Sequence, residues 1–269
     1  MKRIAIALLA GVAAAVSLSQ GASAADMALK AAPPPPPVPV WTGFYIGVHG
    51  GAAWQSAPGW NYLDPNAPAN GLAAITGISP VDDKEGGVGG IQGGYNWQFA
   101  PNWLVGIEGD ISWTSLSDHR TVPMFSAAGV PVVGTSVAMS ANTEWLSSVR
   151  GKFGFIGWNT LWYATGGVAW ANIEYSATAT VGAPVVAPLT QSNTSFNTTK
   201  TGWVLGGGAE WMATTNVLLR VEYLYYGINS GNTASSPFNP PTAGLLIPPT
   251  YTWAKYNVQV ARVGLSYKF

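Results

Sequence analysis

From residue 41 onward, apolar and polar residues alternate with period two in eight segments: 41–54, 87–99, 103–113, 144–157, 161–175, 201–212, 217–227 and 256–269. Side chains on a β-strand alternate between faces, so each segment presents one apolar and one polar or small face. The last segment shows the pattern most clearly. Ala261, Val263, Leu265, Tyr267 and Phe269 share one face, and Arg262, Gly264, Ser266 and Lys268 share the other. The alternation predicts eight strands.

The links between these strands also alternate. Ala100-Pro101-Asn102, Trp158-Asn159-Thr160 and Ala213-Thr214-Thr215-Asn216 are tight turns, whereas 55–86, 114–143, 176–200 and 228–255 are long, polar loops. An up-and-down barrel with one rim of short turns and one of long loops has this signature. Proline supports the segmentation, because it cannot donate to a ladder and is kept out of strand interiors. Beyond the run at 33–39, every proline falls in a proposed loop or turn.

The faces separate a membrane barrel from a soluble one. Phe44, Ile46, Val48, Ile91, Trp97, Phe99, Ile107, Phe153, Phe155, Leu205, Val221 and Tyr223 are read as outward, with Leu161 and Tyr163 of the fifth strand. Tyr45, His49, Gln92 and Asn96 are read as inward. So are four acids and four bases: Glu108, Asp110, Arg150, Lys152, Glu210, Arg220, Glu222 and Arg262. Charge inside and apolar surface outside is the inverse of a ligand-carrying soluble barrel. The fifth strand fits least well, since its register turns Trp162, Val168 and Trp170 inward.

Tryptophan is abundant, with 13 residues. Trp41, Trp97, Trp103, Trp158, Trp162 and Trp211 fall toward the short-turn rim. Trp54, Trp113, Trp145, Trp170 and Trp203 fall toward the long-loop rim. Two aromatic girdles are expected where a barrel crosses a bilayer, because indole has an apolar body and one polar N–H.

Composition narrows the classes further. Only 9% of residues are charged and the formal net charge is zero, so the chain has no basic footprint for nucleic acid. Cysteine is absent, which excludes disulfides, thiolate metal sites and cysteine nucleophiles. No segment after residue 20 approaches the roughly 18 apolar residues of a spanning helix. Residues 1–24 read as a secretory signal, with Lys2 and Arg3, an apolar stretch from Ile4 to Val16, and Ala22-Ser23-Ala24 before the cleavage point. Residues 25–40 carry a proline run that reads as a semi-rigid periplasmic spacer. The barrel occupies 41–269.

Candidate chemistry is sparse. His49 and His119 are the two histidines, and neither stands in a convincing catalytic or metal-ligating spacing. The sequence therefore predicts a non-enzyme with no cofactor and no metal. Glycines such as Gly206-Gly207-Gly208 belong to no phosphate loop; in a narrow barrel they make room for long inward side chains.

The chain resembles the small outer-membrane β-barrel family of opacity-type and immunogenic outer-membrane proteins, related in architecture to the OmpA transmembrane barrel. Trp41-Thr42-Gly43-Phe44-Tyr45-Ile46-Gly47, Arg150-Gly151-Lys152-Phe153-Gly154 and Ala164-Thr165-Gly166-Gly167-Val168-Ala169 carry the resemblance. Arg220-Val221-Glu222-Tyr223 and Val263-Gly264-Leu265-Ser266-Tyr267-Lys268-Phe269 complete it. The resemblance implies an all-β, eight-stranded antiparallel up-and-down transmembrane barrel in the cell outer membrane, surrounded by its lipid and often labelled a porin. It also implies that the barrel-assembly machinery reads the closing strand through Leu265, Tyr267 and Phe269. OmpA proper carries a periplasmic domain after its barrel; none is expected here, so peptidoglycan anchoring is not carried over.

Eight strands enclose an interior that side chains just fill. The eight inward charges are therefore expected to pair and occlude the lumen, since unpaired buried charge is very costly. The alternative is a narrow pore gated by the same pairs. The long loops are the expected place for contact with a host surface or an apolar ligand such as haem, or else are variable loops without a dedicated partner.

Overall fold

The computed structural model describes residues 40–56, 59–73, 75–78, 84–183, 185, 189–241, 247–255 and 257–269. The signal segment, the spacer apart from Val40, and Gly244 to Leu246 lie outside the described residues. In chain order the strands are β1 (Gly43–Gln55), β2 (Trp60–Leu63), β3 (Ile75–Ile78), β4 (Lys84–Ala100), β5 (Trp103–Val122), β6 (Thr135–Gly157) and β7 (Thr160–Val181). They continue with β8 (Thr190–Met212), β9 (Val217–Ile228), β10 (Asn232–Ser235), β11 (Phe238–Asn239), β12 (Thr250–Trp253) and β13 (Asn257–Lys268). One 3-10 helix, Ala67–Asn70, lies between β2 and β3.

Eight of these strands form a closed antiparallel ring in the order β1, β4, β5, β6, β7, β8, β9, β13. The first and last close it, from Tyr45 opposite Lys268 to Gln55 opposite Val258. A closed ring has no unpaired edge, so every ladder bond at membrane depth is made internally. Two of the long links fold into a second sheet of order β10-β12-β2-β3, and β11 adds to the end of β8.

The ring is not equally tall on all sides. β5, β6, β7 and β8 run far past the ends of β1, β9 and β13. On β5 the outward apolar positions stop at Trp113 and continue as Ser115, Ser117, His119 and Thr121. On β7 they stop at Trp170 and continue as Asn172, Glu174, Ser176 and Thr178. Below this height each strand has a stretch of about ten residues whose outward positions are apolar or small, enough for a tilted strand to cross a bilayer. Above it the polarity inverts. The inner face becomes Leu116, Met139, Ala141, Ile173, Tyr175 and Val181, all buried, and the second sheet packs its Trp60, Tyr62, Tyr251 and Trp253 into the same core.

This corrects two of the predicted loops. Residues 114–143 and 176–200 are largely strand: β5 and β6 meet across a connection at 123–134, and β7 and β8 across 182–189. The loss of outward apolar residues marks the membrane boundary there, and the strands continue because their inner faces become apolar. The links 55–86 and 228–255 are likewise not plain loops, since they supply the second sheet.

The fifth strand is also corrected. Leu161 and Tyr163 point inward, 0% and 6% exposed, while Trp162 and Val168 face outward. A two-residue turn at Trp158-Asn159 sets this register, pairing Gly157 with Thr160. Leu161 and Tyr163 join Trp41, Leu104, Ile156, Met212 and Leu218 in an apolar floor. Trp41, expected in a girdle, is therefore fully buried, its backbone N–H donating to Gln98 Oε1 at 3.1 Å.

Candidate functional site: a charged layer between two apolar plugs

Strand register builds the luminal cluster. Glu108 lies opposite Arg150, Glu210 opposite Arg220, and Glu222 opposite Arg262 on neighbouring strands. Same-face cross-strand neighbours are within easy reach, so three acid–base pairs follow directly from the strand pairing. The narrow barrel then brings them together across the lumen.

Glu108 is the hub. Its carboxylate receives Arg150 Nη2 at 2.5 Å, Arg220 Nη2 at 2.6 Å and Lys152 Nζ at 3.4 Å, and the Tyr45 hydroxyl donates to it at 2.5 Å. Arg150 reaches Asp110 at 3.1 Å and Glu222 at 3.0 Å, and Arg262 reaches the same two acids at 3.1 and 2.6 Å. Glu210 is held by Arg220 at 2.7 Å and Lys152 at 3.4 Å. All eight side chains are at least nine-tenths buried, and each has an opposite charge within 3.4 Å.

Two tyrosines extend the network. The Tyr163 hydroxyl donates to Glu222 at 2.9 Å, and Lys152 Nζ lies 5.0 Å and 4.7 Å above the Tyr45 and Tyr163 rings. Inward glycine makes this fit possible: a Cβ at Gly94 would lie 2.6 Å from the Tyr45 hydroxyl. Tyr163 was placed outward by the sequence reading; its neighbour Leu161, opposite inward Glu210, was the available signal.

A neutral polar tier adjoins the charges. His49 Nδ1 is 3.2 Å from Gln92 Oε1, and His49 Nε2 is 2.8 Å from Ser112 Oγ and 3.1 Å from Arg262 Nη1. Gln92 in turn donates to Ser266 Oγ at 3.1 Å. With Gln92 accepting from Nδ1–H, Nε2 carries the lone pair that both Ser112 and Arg262 address. A hydroxyl beside an imidazole is the geometry of an activated nucleophile. Here both groups are buried, and the arginine occupies the basic nitrogen.

Buried apolar clusters lie above and below the layer. The Leu104, Leu161, Met212 and Leu218 side chains of the floor are within 2% of full burial. In the roof, Tyr175 lies 5.1 Å from Trp253, Tyr62 lies 5.4 Å from Tyr251, and Trp253 Nε1 donates to the Ser140 carbonyl at 3.1 Å. Burial raises the Tyr62 hydroxyl pKa and pushes that of Tyr251 up to about 12, so both stay protonated donors. Asp118, just above the tryptophan boundary, is fully buried. Its nearest cation is Arg120 Nε at 3.9 Å, and burial raises its carboxyl above the ordinary value.

On the outer surface Trp97, Trp103, Trp113, Trp158, Trp203 and Trp211 are exposed, and Trp54 and Trp145 are half-buried. Leu265, Tyr267 and Phe269 project outward from β13 and its end, 49%, 51% and 72% exposed.

The family model described as outer membrane protein beta-barrel domain matches residues 7–269. The chain belongs to this family of outer-membrane β-barrels. Two relatives, each called 31 kDa outer-membrane immunogenic protein, come from Brucella melitensis and Brucella suis. Each is 30% identical over 268 residues, covering 97% of this chain and 98% of the relative. Among solved structures, Ail, the attachment invasion locus protein of Yersinia pestis, aligns at 13% identity with TM-score 0.38, over 84% of this chain and 99% of that one. OprG of Pseudomonas aeruginosa aligns at 12% identity with TM-score 0.39, over 85% and 96%. This outer-membrane barrel resides in the cell outer membrane, with bilayer lipid around its apolar belt.

Proposed function

We propose that this outer-membrane barrel is an occluded structural and surface-exposed protein rather than a channel or an enzyme. The observation that carries this reading is the luminal layer of eight paired charges lying between an apolar floor and an apolar roof. A conducting path would have to separate ion pairs in a region poor in water, where an unpaired charge is very costly. The name of the Brucella relatives, outer-membrane immunogenic proteins, supports exposure of the extracellular wall of β5–β8 to the surroundings. His49 and Ser112 act in this reading as structural hydrogen-bond partners.

Residues 1–24 serve as the export signal and 25–40 as a periplasmic spacer. The outward ridge of Leu265, Tyr267 and Phe269 presents the closing strand to the assembly machinery. Proteoliposome swelling in small sugars tests the occluded reading. Swelling indistinguishable from protein-free vesicles is expected, and size-graded swelling would make the barrel a small-solute porin.

A further inference from the structure

Above Trp203 the extracellular wall has an open seam between β8 and the chain that follows β9. β9 pairs with β8 up to Ile228 opposite Gly202, and β11 resumes beside β8 at Phe238 opposite Ser192. Between those two pairs, among the described residues, no ladder joins 193–201 to 229–237. Two side chains bridge the seam instead: Lys200 Nζ donates to the Gly231 carbonyl at 3.5 Å, and Ser192 Oγ to the Ser236 carbonyl at 2.5 Å. β10, in the middle of 229–237, pairs with β12 and is the end strand of the second sheet. β8 and β10 thus each keep one edge without a ladder partner here, and a bare edge is a template for pairing.

The two sides of the seam are matched in register. Ser192 and Gly202 are ten residues apart, and so are Ile228 and Phe238, so the pairs above and below the gap belong to one register. Exposure follows that register. Exposed Ser195, Asn197 and Thr201 fall opposite exposed Ser235, Thr233 and Asn229. Half-buried Phe196 falls opposite half-buried Ala234, and both pack against the extracellular core. An inserted residue would destroy this match, because a slip of one turns every side chain to the other face.

Neither charge nor proline blocks closure. Lys200, the one charged residue in the two segments, falls opposite Ser230. Pro237 has no N–H and falls opposite Asn193, so it limits new pairing to 229–236 against 194–201. β10 keeps β12 throughout, since a strand has two edges.

We propose that 229–236 is a strap that closes in register onto 194–201, making β9, β10 and β11 one strand along β8, and that the extracellular wall alternates between this closed seam and the open one. The membrane ring is undisturbed by the change, because β8 and β9 stay paired from Gly202 downward.

The chain has no cysteine, so engineered pairs report the seam without background. A disulfide needs Cα atoms within roughly 7 Å, and antiparallel partners stand about 4.5–5.5 Å apart. Asn197→Cys/Thr233→Cys and Thr198→Cys/Asn232→Cys are in register and sample both kinds of antiparallel site. Asn193→Cys/Thr233→Cys, four residues out of register, is the control. Each mature variant is oxidised with copper phenanthroline in phospholipid vesicles, and heat-modifiable gel mobility reports that it is folded. At least one in-register pair should bridge roughly ten-fold faster than the control. Amide exchange of 194–200 should be roughly ten-fold slower in the bridged form than in the same variant reduced. In-register pairs that bridge no faster than the control, or exchange that bridging leaves unchanged, would overturn the proposal.

Discussion

Trp113 on β5 and Trp145 on β6 stand directly opposite one another, at the height where the two faces of the barrel wall exchange polarity. Below them apolar side chains face out and charges face in. Above them Ser117, His119 and Asn142 face out while Leu116, Met139 and Ala141 are buried. One pair of strands, its register shifted between Trp113 and Leu116, therefore obeys the rules of a membrane barrel in its lower half and of a soluble one in its upper half.

That boundary predicts where a charge is tolerated. Leu265→Arg, on the lipid face, should destabilise the barrel by roughly 2–4 kcal/mol if near the midplane, whereas Thr199→Lys, above the boundary, should cost roughly 0–1 kcal/mol. Urea unfolding in liposomes followed by tryptophan fluorescence measures both. Equal costs would contradict the boundary.

The wall depends on its own core. Tyr175 is fully buried, stacked on Phe196 at 5.4 Å and with the tilted ring of Trp253 at 5.1 Å. Replacing a buried aromatic residue by alanine costs about 3–5 kcal/mol. Tyr175→Ala should therefore expose the extracellular wall to limited proteolysis while the transmembrane ring keeps its heat-modifiable mobility. Loss of both together would show that wall and ring fold as one unit.

Luminal charge should matter far more than surface charge. Glu108 is the hub of the buried network, and Glu85 is exposed. Glu108→Leu takes a shared carboxylate from Arg150, Arg220 and Lys152 and leaves the buried network one positive charge in excess, so it should cost about 3–5 kcal/mol, against about 0.5 kcal/mol or less for Glu85→Ala. Comparing their unfolding midpoints in liposomes decides it; similar midpoints would mean that water reaches the lumen and screens the pairs.

Asp118 gives the wall a pH dependence. Burial raises its folded-state pKa above the ordinary 3.8, although Arg120, Lys84 and His119 each pull it down. The folded state therefore holds a proton that the unfolded state releases. Its favourable contribution is complete below about pH 4 and is lost as pH rises through the folded-state value. Asp118→Asn should remove this component, leaving hydrogen exchange of 116–122 less sensitive to pH between 4 and 7 than in the parent. An unchanged profile would place the dependence elsewhere.

The membrane half of the fold was legible because outward apolar alternation, proline exclusion and short turns all point to one segmentation. Glu210 and Arg220 were legible as neighbours too, since the tight turn at 213–216 sets their register. The upper half was missed for a physical reason. A search for apolar positions facing lipid stops at the tryptophans, although Ile173, Tyr175, Ala177, Ala179 and Val181 continue with the same period on the opposite face. The floor was missed because the fifth strand was read one residue out of register after a three-residue turn at 158–160, which turned Leu161 and Tyr163 outward, and because Trp41 was assigned to a girdle. The second sheet joins residues nearly two hundred positions apart, Trp60 opposite Trp253, and no local pattern encodes that pairing.

The central claim is the sealed lumen, and single-channel recording in a planar bilayer tests it most directly. The mature protein is compared with Arg262→Ala and Glu222→Ala, which remove directly opposed members of the network. The occluded reading predicts no discrete openings from the parent and none from either variant, because the floor and roof remain. Reproducible parent openings that widen in the variants would contradict it and make the luminal pairs a gate.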